Sequence, residues 1–167
     1  MKILLDIIDW IGRILTIPAL IAFILGIYEW SGRALWVLYR LGRGLAHRKI
    51  AILACGNNVE SGCNLLLDSR LFQQKNLIVV TSPKDLGRAE RANVLLVFWE
   101  DWSNYIDDIL RVKRDHTALI VYARPQAIPR ETLEKLDNMR NTIVANFRGR
   151  LLNDIIVSLM AVSGQTQ

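Results

Sequence analysis

From Lys49 to Val162 short unbroken apolar runs alternate with amphipathic stretches, and few folds can use that pattern. KIAILAC (49–55), NLIVVT (76–81), NVLLVFW (93–99), ALIVYA (118–123) and TIVANF (142–147) are too short for buried helices and are bounded by Gly, Asn and Pro. They read as strands buried on both faces. Between them Ser61–Phe72, Pro83–Ala92, Ser103–Asp115, Pro129–Arg140 and Arg148–Val162 read as helices, with Pro83 suited to a first turn. Continuous strands separated by covering helices require a parallel sheet with helices on each side. The expected fold is α/β, a flavodoxin-like (Rossmann-like) three-layer domain over residues 49–163. Its five-stranded parallel sheet has the order 2-1-3-4-5.

Upstream lies a segment of another kind. Ile14 to Tyr28, ILTIPALIAFILGIY, carries no charge. Its length of roughly 22 Å falls short of a ~30 Å hydrocarbon core, but Trp10 and Trp30 extend it to about 30 Å with interface-seeking aromatics. Residues 1–30 are therefore expected to form a single transmembrane anchor. Arg33, Arg40, Arg43, Arg48 and Lys49 follow it, whereas Lys2, Asp6, Asp9 and Arg13 before it nearly cancel. The positive-inside rule places the N-terminus outside and the domain in the cytoplasm, at an inner membrane. Asp6 and Asp9 disfavour a cleaved signal peptide. Residues 31–48 form a basic neck in which apolar residues recur at roughly helical spacing.

Of the net charge of +5, residues 1–49 hold seven basic and three acidic side chains, leaving an excess of only one positive charge for residues 50–167. The basicity thus belongs beside the membrane, where anionic headgroups account for it, and a general nucleic-acid-binding surface is not indicated. Within the span Pro18, Ala22 and Gly26 recur every four residues. Such a stripe permits close helix packing in lipid, hence homo-oligomerisation, although small residues and Pro are also ordinary in membrane helices.

In open parallel sheets ligands sit beyond the C-terminal strand ends, near the switch between the first and third strands. CGNNVESG (55–62), WEDW (99–102), YARP (122–125) and NFRGR (146–150) occupy those places. The candidate ligand-binding residues are Asn57, Asn58, Ser61, Trp99, Asp101, Arg124, Asn146, Arg148 and Arg150. The first loop offers backbone N–H groups to a phosphate, the arginines offer charge, and Trp99 and Trp102 offer faces for a base. The plainer reading of these residues is a turn, a capped core and helix contacts.

Enzyme chemistry finds little support. Cys55-Gly56-Asn57-Asn58 and Phe147-Arg148 stand where a phospho-accepting receiver needs an acidic pair and a Lys. A flavin phosphate loop is missing, and His47 and His116 make no triad. No metal-ligand spacing occurs and no cofactor is implied; Cys55 and Cys63, in the cytoplasm, read as packing residues.

One membrane helix followed by a small Rossmann-like domain resembles the single-pass membrane effectors of prokaryotic anti-phage systems. In some of these a CARF domain binds a cyclic oligonucleotide in a dimer cleft and the membrane helices assemble. CGNNVESG stands where such domains place a ligand loop. The resemblance implies a sensor or effector that binds a nucleotide-like ligand or protein partner and acts through its assembled helices, with membrane permeabilisation as one output. WEDWSNYIDDIL (99–110) also resembles the Trp-containing helix start of TIR domains, which implies NAD hydrolysis, with Asp107 and Asp108 as the nearest acids to that family's catalytic Glu. A membrane-recruiting scaffold is the third reading.

Overall fold

In a computed structural model, the structure describes residues 48–163 and, further upstream, residues 10, 16, 18–32, 35, 36 and 42. The chain divides into two units, Met1–Arg43 and Gly44–Gln167.

In the first unit residues 18–32 are helical, and Leu20, Phe23, Ile24, Leu25 and Ile27 are all exposed. Ser31 Oγ donates to the carbonyl of Tyr28 at 3.0 Å within this helix. Among the described residues no helix is long and apolar enough to cross a membrane. Much of the expected anchor and neck, including Ile14, Leu15 and residues 37–41, lies outside the described residues. Pro18, Ala22 and Gly26 fall on the described helix and are exposed.

The second unit carries the expected sheet. β1 (Ile50–Leu53), β2 (Leu77–Val80), β3 (Val94–Phe98), β4 (Ala118–Tyr122) and β5 (Thr142–Ala145) pair entirely in parallel, in the order β2-β1-β3-β4-β5. Ile50 is level with both Leu77 and Val94, so the strands begin nearly flush. Asparagines brace these beginnings: Asn93 Oδ1 accepts from Lys49 N–H at 3.0 Å, Asn76 Nδ2 donates to Arg48 O, and Asn141 Nδ2 donates to Asp115 O.

Alternate residues of each strand serve opposite layers. Ala51, Leu53, Leu95, Val97, Leu119 and Val121 face a cluster closed by Leu86, Trp102, Ile109 and Leu136. Those four come from the 3-10 helix Pro83–Arg91, from α2 (Trp99–Trp102), from α3 (Ile106–Val112) and from α4 (Arg130–Asp137). Ile50, Ile52, Val94, Leu96 and Ile120 face the other cluster, closed by Leu66 of α1 (Asn57–Asp68) and by Leu151, Ile155 and Leu159 of α5 (Arg148–Ser163). Burial on both sides explains why the central strands contain no charged residue.

The helices differ from expectation in three places. α1 starts at Asn57, not Ser61, because Gly56 turns the chain sharply at φ 52° and ψ −129°. The Asn58 N–H then donates to the Cys55 carbonyl at 3.2 Å, closing a type II′ turn straight into the helix. Pro83 does open its helix, yet Pro83–Arg91 winds as a 3-10 helix. The expected helix Ser103–Asp115 is broken by a 3-10 turn at Ser103–Tyr105 and ends at Val112. Its first turn is WEDW itself, which begins directly after β3 instead of forming a loop.

Candidate functional site

The C-terminal edge of the sheet holds a cavity of about 150 Å³ between the start of α1, the ends of β3 and β4, and the start of α5. Asn58 and Ser61 line it from α1, Phe98 from β3, Trp99 and Glu100 from α2, Tyr122 from β4, Ala123 and Arg124 just beyond it, and Arg148 from α5. Five of the expected residues thus meet on one cavity: Asn58, Ser61, Trp99, Arg124 and Arg148.

The arginines are held differently. Arg124 Nε lies 2.7 Å from Glu100 Oε1, an exposed pair across the mouth of the cavity. Arg148 Nη2 donates to the Ser61 carbonyl at 3.3 Å, tying α5 to α1. A guanidinium with one donor engaged keeps others for a ligand, since it carries five. Both cations can therefore turn toward an anion, whereas the Asn58 and Val59 N–H groups at the start of α1 are already held by the carbonyls of Cys55 and Gly56. Tyr122 closes the floor with its ring edge-on to Phe98, centroids 5.4 Å apart.

Asp101 has a different station. One of its carboxylate oxygens, Oδ2, accepts from Cys55 N–H at 2.7 Å and from Asn58 Nδ2 at 2.9 Å. The chain's own carboxylate thus occupies the first N–H of the turn after β1, where a phosphate was expected. Asn57 is exposed at the start of α1 and does not line the cavity. Asn146 and Arg150 line a separate cavity of about 170 Å³ beside β5, together with Phe147 and Asp154.

Stacking on the tryptophans meets a physical obstacle. Trp102 is 1% exposed and packs within the core, while Trp99, 8% exposed, shows the cavity only a small part of its ring. The aromatic face at the cavity is that of half-buried Tyr122. Its place at the end of the YARP strand was the available signal, but attention there goes to the arginine. Glu100 was likewise legible only as one of a pair of acids.

Asp107 and Asp108 begin α3, are exposed, and do not line the cavity; Asp108 pairs with Arg111 at 3.5 Å. Among the described residues no three His, Cys, Asp or Glu side chains gather as metal ligands do. Cys55 is exposed and its thiol donates to the Thr81 carbonyl, whereas burial pushes the Cys63 thiol up from its ordinary value.

No family model matches the chain, and no curated protein matches it. The volume of the cavity lined by Arg124 and Arg148 lies below the ~300 Å³ typical of pockets that enclose a whole organic ligand. A cavity of this size has room for a compact group only, and Arg124, Arg148 and Glu100 are the charged side chains that line it.

Proposed function

We propose that this chain is a membrane-tethered, non-enzymatic sensor or effector whose α/β domain binds a phosphate-bearing, nucleotide-like ligand at the C-terminal edge of its sheet. The reading rests on one observation: Arg124 and Arg148, far apart in sequence, line one small cavity beside the start of α1. Phosphate oxygens there would replace Glu100 on Arg124 and receive donors from Asn58 and Arg148. Charge-assisted hydrogen bonds of this kind are the strong ones.

The tether and its output belong to the same proposal. Residues 18–32 display apolar side chains that nothing within the described residues covers, and basic residues follow them in the sequence. An inner-membrane helix with the domain in the cytoplasm accounts for both features. Association of such helices through Pro18, Ala22 and Gly26 would carry the signal.

The test is equilibrium binding of cyclic di- and oligonucleotides to the full chain in nanodiscs, with Arg124→Ala and Arg148→Ala beside it. Each substitution should weaken binding about tenfold or more, the usual worth of a charged hydrogen bond. Absence of binding, or affinities indifferent to both substitutions, rejects the ligand half. Resistance of the chain to carbonate extraction from membranes tests the tether separately.

A further inference from the structure

The two edges of the sheet differ in charge. Loops leaving the strands (54–56, 81–82, 123–129 and 146–147) contain a single charged residue, Arg124, and it is paired with Glu100. Segments leading into the strands are strongly basic. Arg48 and Lys49 precede β1, Arg70 and Lys75 precede β2, Lys113 and Arg114 precede β4, and Arg140 precedes β5, against one acid, Asp115. The final four residues of the helices feeding these segments add cations and acids in equal number. Nearly flush strand beginnings and the asparagine braces place these cations along one edge. Near it Lys49, Arg88 and Arg91 line an open groove. Of the cations that precede the strands, Arg114 pairs with Glu90 at 3.0 Å and Lys113 Nζ donates to the Arg140 carbonyl at 2.7 Å; at the helix ends Arg111 and Lys135 pair with acids of their own helices.

Apolar residues stand in the same loops. Leu71, 46% exposed, follows Arg70, and Met139, 37% exposed, precedes Arg140. Cations interspersed with exposed apolar side chains suit a lipid interface, where headgroups take the charge and the acyl boundary takes the side chains. A nucleic-acid surface has use for the cations but not for Leu71 and Met139. The chain also arrives at this edge, through Arg48 and Lys49, from the basic neck.

We infer that the N-terminal edge of the sheet is a docking face for an anionic bilayer surface, engaged through Arg70, Lys75, Arg140 and their neighbours with Leu71 and Met139 dipping into the headgroups. Docked so, the domain turns its Arg124–Arg148 cavity away from the lipid, open to solution. The inference rests on the tether proposed above for its setting, and not on the identity of the ligand.

Native lysines report the face. The full chain is placed in nanodiscs of phosphatidylcholine alone or with roughly one-third phosphatidylglycerol. Brief amine acetylation is then read by mass spectrometry. Lys49 and Lys75 should lose reactivity about fivefold in the anionic discs. Exposed Lys84, at the opposite edge, should not change. Arg70→Glu with Arg140→Glu should restore reactivity with the circular dichroism unchanged. Should that variant misfold, molar salt on the native chain, with a Debye length of about 3 Å, should do the same. Equal reactivity of Lys49 and Lys75 in both discs overturns the inference, as does equal protection of Lys84. So does stronger protection by single-stranded RNA than by anionic lipid, which would make the face a nucleic-acid surface. Carbonate extraction separates the two proposals: a chain that is stripped yet protected loses the tether and keeps the docking face, and a retained but unprotected chain does the reverse.

Discussion

The carboxylate of Asp101 and the backbone N–H of Cys55 meet at 2.7 Å, and the same oxygen accepts from Asn58 Nδ2. An acid at the start of α2 therefore fixes the turn between β1 and α1, and with it the helix that lines one side of the cavity. A fixed anion at this turn N–H does structurally what a phosphate would do only while bound. Asp101→Ala should lower stability by about 2 kcal/mol, the range of hydrogen bonds to a charged group. Urea titration checks it, and Asp101→Asn should recover part of the loss because the amide oxygen still accepts.

Gly56 and Gly62 should fail for opposite reasons when substituted. At Gly56 a Cβ meets nothing within 4 Å, but φ is +52° with ψ −129°, so Gly56→Ala carries a backbone penalty of about 1–3 kcal/mol. At Gly62 a Cβ would stand 3.2 Å from Ile52 Cγ2 and from Phe98 Cε2, where α1 lies against the sheet. Gly62→Val should overpack that contact, costing about 1–3 kcal/mol, and push Ser61 away from the cavity. Denaturation midpoints measure both; only the Gly62 variant should also disturb ligand binding beyond what its stability explains.

The thiols should separate by pH. Burial raises the Cys63 pKa, so at any given pH less of it is thiolate than in the unfolded chain. Maleimide at neutral pH should label exposed Cys55 first, with Cys63 following slowly and accelerating in alkaline buffer. The linkage runs the same way. Stability from keeping Cys63 protonated is complete below the ordinary thiol pKa and is lost as pH rises through the raised one. Cys63→Ala should flatten that alkaline decline.

The strands were legible because β1, β3 and β4 are buried on both faces and so cannot admit a charged residue, a constraint any reader of VLLVF or ALIVY can see. The helix boundaries were less so. α1 begins early at the turn Gly56 makes, and that turn is held by a tertiary bond from Asp101, more than forty residues away, which no local pattern reports. Trp102 looks the same in sequence whether it stacks on a ligand or fills the core; only the converging layers decide. The basic edge was hidden for another reason. Averaged over residues 50–167 the charge nearly cancels, and the asymmetry emerges once the topology sorts the loops into those entering strands and those leaving them.

Glu100 is poised to oppose any anion at Arg124. Its Oε1 holds Arg124 Nε at 2.7 Å, so a phosphate arriving there must displace a carboxylate and then endure its negative charge nearby. Both partners are substantially exposed, so the pair adds little to folding, about 0–1 kcal/mol at most. Glu100→Gln should therefore leave the denaturation midpoint nearly unchanged while tightening binding of a phosphate-bearing ligand several-fold, the direction expected when a competing like charge is removed. Isothermal titration of both proteins with the same cyclic nucleotide makes the comparison. The gain should shrink as salt is raised, because an exposed charge is screened over about 10 Å at 0.1 M ionic strength. Binding weakened by Glu100→Gln would mean that Glu100 contacts the ligand directly, and the cavity would then suit a donor-rich group instead of a phosphate.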